Sequence, residues 1–131
     1  MHYVFNWKLI LSGEYFDWLL QGFVVTLSIS ALSLVISLVL GTVIAVLRLS
    51  HVRPLVWISA LYTEFFRNTP LLVQILFWYF GSDAILPEFV KNWLYQQNIE
   101  FAAGVIALSI YTSAFIAEEI RSGISAIPRT Q

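Results

Sequence analysis

An all-α integral membrane protein is what this sequence predicts, and three observations predict it. Of its 131 residues 59% are hydrophobic and only 11% are charged, whereas a soluble domain carries about 25% charge. Three apolar segments follow one another, the first of them longer than the roughly 20 residues that cross a hydrocarbon core of about 30 Å. The second segment holds its polar residues in one cluster, and a charge in lipid costs several kcal/mol, so such residues default to a functional reading. The expected architecture is three transmembrane helices, over about 19–47, 58–82 and 101–120, within a single unit spanning 1–131.

The first segment runs from Trp18 to Leu47 without a charged residue, which is 30 residues where roughly 20 suffice to cross a bilayer. Ser33, Ser37, Gly41 and Ala45 recur along it at i+4. Such a small-residue stripe lets another helix approach closely. Arg48, His51 and Arg53 follow, then Pro54, which suits the first turn of a new helix.

The second segment, from about Leu55 to Ser82, is interrupted by Glu64, Arg67, Asn68 and Pro70. The 16 residues from Thr69 to Ala84 would reach only about 24 Å as a helix. The helix is therefore expected to begin before the polar cluster, with Glu64 and Arg67 near one membrane face. Pro70 removes a backbone donor and disfavours helical geometry at Thr69, which predicts a kink or break there.

The third segment runs from Phe101 to Ala117 and continues as Glu118, Glu119, Ile120, Arg121. Between segments two and three, Phe89, Val90, Trp93 and Leu94 share one helical face, while Glu88, Lys91, Asn92 and Gln96 lie largely elsewhere. This pattern fits a short amphipathic helix on the membrane surface; a plain loop is the alternative.

Orientation follows from Lys and Arg. Arg48, Arg53, Arg67, Arg121 and Arg129 collect on one side, against Lys8 and Lys91 on the other. The arginine side is expected to be cytoplasmic, which puts the N-terminus outside and the C-terminus inside. Tyr3, Trp7, Tyr15, Trp18, Trp78, Tyr79, Trp93 and Tyr95 then fall at the outer boundary, as an aromatic belt does.

Several chemistries are excluded. A net charge of −1 with no basic stripe gives nothing for nucleic acid to hold. The absence of cysteine excludes disulfides, thiolate zinc sites and a cysteine nucleophile. His2 and His51 stand far apart outside the apolar runs and read as interfacial or loop residues, not metal ligands. Lys8 is followed by Glu14 and Asp17 without a short apolar core and cleavage site, unlike a signal peptide. Glu118 and Glu119 are adjacent on a helix and diverge by about 100°, so they cannot converge on one proton. No G-x-S-x-G, H-E-x-x-H or phosphate-binding G-x-x-x-x-G-K-[ST] occurs. No catalytic residue, metal or cofactor is expected.

Two E-x-x-R pairs remain. Glu64 with Arg67 and Glu118 with Arg121 are i, i+3 neighbours at the cytoplasmic ends of spans two and three. One four-charge network joining these ends is expected, the alternative being local pairs that anchor each helix end.

The run E-F-F-R-N-T-P-L-L-V-Q-I-L-F-W-Y-F-G, Glu64 to Gly81, resembles the signature of polar amino-acid ABC transporter permeases, transmembrane subunits of type I importers for glutamate, glutamine, histidine or arginine. Glu64, Arg67, Asn68, Thr69, Pro70 and Gln74 carry the likeness. G-F-V-V-T-L-S-I-S, Gly22 to Ser30, resembles that family's opening helix, and Ala103 to Pro128 resembles the stretch leading to its cytoplasmic coupling loop. Ser122 stands where the family usually has glycine, and Glu119 where it has an apolar residue. The family's E-A-A…G loop and two further spans would lie beyond Gln131, so the resemblance implies the N-terminal portion of a permease.

It also implies a mechanism. A periplasmic or surface-anchored binding protein delivers an amino acid to two permease subunits in the bacterial inner membrane. Two cytoplasmic ATPase subunits drive alternation between outward-open and inward-open states. The permease itself is not an enzyme. By depth, Gln74 on span two and Tyr111, Thr112 and Ser113 on span three are candidates for the translocation path, with interhelical hydrogen bonding as their alternative role. Two rival readings are a small non-transporting scaffold, or permease remnant, and an intramembrane enzyme using Glu118.

Overall fold

The computed structural model describes residues 13–96 and 98–127, and among these all regular structure is α-helical. α1 is Glu14–Arg48, α2 Arg53–Asn68, α3 Leu71–Ile85, α4 Glu88–Gln96 and α5 Ile99–Ser125. Tyr3, Trp7, Lys8 and Arg129 lie outside the described residues, as do the side chains of Trp93 and Tyr95.

Local chemistry sets the helix ends. Gly13 precedes α1 at φ +78°, a left-handed geometry open to a residue without Cβ. Pro54 sits in the first turn of α2, where a missing N–H leaves no bond unmade. The Asn98 side chain caps α5 by accepting from the Phe101 amide at 3.1 Å. Within α1, the hydroxyls of Thr26, Ser28, Ser30 and Thr42 each donate to the carbonyl four residues back. These polar side chains therefore need no outside partner in an apolar surrounding.

The packing is inverted relative to a soluble domain. Buried hydrophobic residues are Ala45, Ala103, Val105, Ala107, Ala114 and Ala117, and the largest fully buried side chains are Thr63, Ser37 and Ser113. Trp57, Leu61 and Phe80 are 76%, 71% and 70% exposed. In water, large apolar side chains would fill the core. Small residues inside and large apolar ones outside is the pattern of helices packing in lipid.

α1 and α5 are long and apolar enough to cross a membrane, and they pack against each other more extensively than any other pair. Their contacts rise together in number. The Ser33 hydroxyl donates to the Val105 carbonyl at 3.4 Å, Gly41 lies against Ser113 and Ile116, and Arg48 approaches Glu118. The two helices are parallel, with Ser33, Ser37, Gly41 and Ala45 all buried.

The middle span expected over 58–82 is not one helix. α2 ends at Asn68, Thr69 is extended at φ −95°, ψ 126°, and α3 starts at Leu71. Two helices among the described residues, not three, pass as spans, because α2 and α3 are only 16 and 15 residues long. Pro70 is the physical cause, through its own missing donor and the extended geometry it imposes on Thr69. Residues Glu88–Gln96 adopt the helical alternative, not a loop.

Candidate functional site

The α2–α3 break leaves the last carbonyls of α2 without backbone donors. In an unbroken helix the amide of residue 70 would bond the Phe66 carbonyl, and proline has none. Two side chains take over. The Thr69 hydroxyl donates to the Phe65 carbonyl at 2.8 Å. The Gln74 Nε2 donates to the Phe66 carbonyl at 3.0 Å and to the Thr69 carbonyl at 3.1 Å. Gln74 is 4% exposed, and its Oε1 is buried with no hydrogen-bond partner among the described residues.

Beside this elbow lies an apolar cavity of about 210 Å³, lined by Phe65, Phe66, Thr69, Val73, Gln74, Phe77 and Trp78. Its walls come from both halves of the broken helix, so the elbow sets its width. Four aromatic rings and one amide give it no charge and no group able to take up a proton.

α2 is tied to α5 by hydroxyls. The Tyr62 hydroxyl donates to the Ile110 carbonyl at 3.1 Å and lies 2.8 Å from the Ser113 Oγ, which itself donates to the Ile110 carbonyl at 2.8 Å. Ser113 is fully buried, so its polar atom is taken up between helices. Tyr111 and Thr112 are half-buried on the same turn, and the Tyr111 ring packs against Phe115 with centroids 4.9 Å apart.

The four-charge network expected of Glu64, Arg67, Glu118 and Arg121 does not form as drawn. Glu118 accepts from Arg121 Nε through both carboxylate oxygens, at 3.1 and 3.0 Å. The third member is Arg48, whose Nε lies 3.9 Å from Glu118 while its Nη1 donates to the Thr63 hydroxyl at 2.9 Å. Glu64 is exposed and in no ion pair among the described residues. It follows the buried Thr63 on α2, and the 100° step to the next residue turns it off the buried face. Arg67 is exposed and places its guanidinium over the Phe115 ring, 5.3 Å from the centroid.

Sequence reasoning missed Arg48 and Thr63. The signal was available: Arg48 lies three residues beyond Ala45 and so extends the small-residue stripe. The capping role of Gln74 had a weaker signal, an amide one turn after a mid-segment proline.

No family model matches the chain. The arginine transport system permease protein ArtQ of Bacillus subtilis (strain 168) is 40% identical over 113 residues, covering 86% of this chain and 48% of that protein. The probable glutamine ABC transporter permease protein GlnM of the same bacterium is 42% identical over 116 residues, covering 88% and 50%. This chain is homologous to amino-acid ABC transporter permeases. The glutamate/aspartate import permease protein GltJ of Escherichia coli (strain K12) is a more distant permease relative, 32% identical over 136 residues and covering 96% of the chain and 55% of that protein. A crystal structure of an amino acid ABC transporter with histidines matches the fold at TM-score 0.78 and 30% identity, over 98% of this chain and 55% of that one. The chain thus spans about half the length of the permeases it matches, with its helices arranged as in a permease.

Proposed function

We propose that this chain forms part of the transmembrane subunit of an ATP-driven amino-acid uptake system in a bacterial inner membrane. The observation that carries the reading is the joint match of sequence and fold over nearly the whole chain. The inverted packing supports it, since a bundle with serine and alanine inside and tryptophan outside suits lipid better than water.

In this reading α1 and α5 are spans, and the elbow with α3 forms the middle one. The N-terminus is outside and the C-terminus cytoplasmic. Support for that orientation is the meeting of Arg48 and Arg121 at one end of the parallel α1–α5 pair. α4 lies on the opposite membrane surface. Tyr111 and Thr112 line the path, while Ser113 serves the contact with Tyr62 and Gln74 the α2–α3 elbow. The partners are a second permease subunit, cytoplasmic ATPase subunits that hydrolyse ATP, and a binding protein that delivers the amino acid.

Deleting the gene and following uptake of radiolabelled amino acids tests the reading. Energy-dependent uptake of one chemical class is expected to fall and to return on complementation. Unchanged uptake of every amino acid would overturn it. Reporter fusions at Ser50 and Lys91 are expected to read cytoplasm and periplasm.

A further inference from the structure

The Gln74 carboxamide occupies an unusual position. Its nitrogen meets two main-chain carbonyls at 3.0 and 3.1 Å, Phe66 on one side of Pro70 and Thr69 just before it. The Phe66 carbonyl is the acceptor that the residue-70 amide serves in a continuous helix, and the Thr69 carbonyl belongs to the residue that proline forces out of helical geometry. The orientation of the carboxamide is fixed by this pair. Turned over, its oxygen would face two carbonyl oxygens. The chosen orientation leaves Oε1 buried and without a partner among the described residues, a state that is unfavourable by itself. The elbow therefore holds Gln74 by its donor end.

We propose that Gln74 is a positioning residue that supplies, from its side chain, the amide hydrogen Pro70 lacks, and that this donor fixes the angle between α2 and α3. The break caused by proline is thereby made rigid. A carbonyl in an apolar surrounding without a donor would be met by water or by further unwinding of α2; with Gln74 in place the chain turns once, at Thr69, and resumes at Leu71. The backbone amide of Gln74 adds to the hold by donating to the Pro70 carbonyl at 3.3 Å. The width of the cavity between Phe65 and Phe66 on α2 and Val73, Phe77 and Trp78 on α3 then follows from one side chain. None of this depends on transport being the function.

The absence of cysteine from the chain permits a direct test. Spin labels at Trp57→Cys on α2 and Phe80→Cys on α3, both exposed positions, report the elbow as a distance distribution in lipid. A single narrow distance is expected with Gln74 present. Gln74→Met keeps the volume and removes the donor, and is expected to broaden the distribution. Adding Pro70→Ala restores a backbone amide, and the double variant is expected to become narrow again at a longer, straighter distance. A narrow, unshifted distribution in Gln74→Met would overturn the proposal. So would a double variant that stays broad, because Gln74 would then act by packing alone. Where Gln74→Met fails to accumulate in the membrane, recovery of accumulation in Pro70→Ala/Gln74→Met is the expected result, and continued failure refutes it.

Discussion

The α1–α5 seam and the α2–α3 elbow hold this molecule together by different means. Along the seam, Ser33, Ser37, Gly41 and Ala45 bring two parallel helices into close approach, and stability comes from the removal of side chains. At the elbow, Thr69 and Gln74 supply hydrogen-bond donors where the backbone lost them, and stability comes from the addition of polar groups. Lipid explains both. Without water there is no hydrophobic gain from burying leucine between helices, so close packing and satisfied polar groups remain as the organising forces.

Breaking the seam should have the largest effect. A Cβ at Gly41 would lie 2.7 Å from Ile116 Cγ2 and 2.9 Å from the Ser113 carbonyl oxygen, the latter part of a rigid helix backbone. Gly41→Val should therefore force α1 and α5 apart and destabilise the bundle by about 1–3 kcal/mol or more. Gly22→Val is the matched control, with nothing within 4 Å of its Cβ, and should stay within about 0.5 kcal/mol. Thermal unfolding of the two variants in detergent decides the matter. Equal melting shifts would mean that helix propensity, not the crossing, limits stability.

The next test addresses the joint between seam and elbow. Glu118 on α5 holds Arg121 locally and reaches Arg48 at the end of α1, which in turn holds Thr63 of α2. Glu118→Ala removes the shared acceptor and should be unfavourable by about 1–3 kcal/mol, between the small effect of exposed pairs and the larger one of buried pairs. Arg121→Ala should do more to the Glu118 joint than Arg48→Ala, because Arg121 donates to both carboxylate oxygens at 3.1 and 3.0 Å whereas Arg48 stands 3.9 Å away. The reverse order in chemical denaturation would show Arg48 to be the principal partner.

The two regions also differ in how much of them the sequence discloses. The seam is readable because its signal is one-dimensional: small residues every fourth position mark a face whatever lies opposite. The break at Thr69–Pro70 is readable for the same reason, since proline acts on its own neighbour. What holds the break is not readable with equal force. Gln74 resembles any path-lining amide until its nitrogen is placed between two carbonyls. The charges show the same limit. The i, i+3 spacing of Glu118 and Arg121 discloses their pair, but the same spacing at Glu64 and Arg67 implies one that does not form. Which face of α2 meets α5 depends on the turn between Arg48 and Arg53, and that turn carries no periodic pattern. The middle span reads as one apolar segment with a kink or break, and it divides fully because proline ends α2 at Asn68 and holds Thr69 in extended geometry.

A smaller effect is expected at Arg67, and it separates the two ways of reading the signature run. Spacing alone makes Arg67 a member of a charge network whose removal would be severe. The structure gives it the Phe115 ring at 5.3 Å and, among the described residues, no carboxylate within ion-pair distance. An exposed arginine over a phenylalanine is worth about 0.5–1 kcal/mol. Arg67→Ala should therefore destabilise by no more than that. Phe115→Leu should remove the same stacking, and the double variant should show the loss only once, as contacting residues do in a double-mutant cycle. Arg53→Ala, at the first position of α2 and in no ion pair among the described residues, should change stability still less. Two results would reinstate the network: an Arg67→Ala loss as large as that of Glu118→Ala, or additivity of Arg67→Ala with Phe115→Leu combined with coupling to Glu118. If instead the coupling runs to Phe115, Arg67 belongs to the elbow, holding the end of α2 against α5 just before the chain turns.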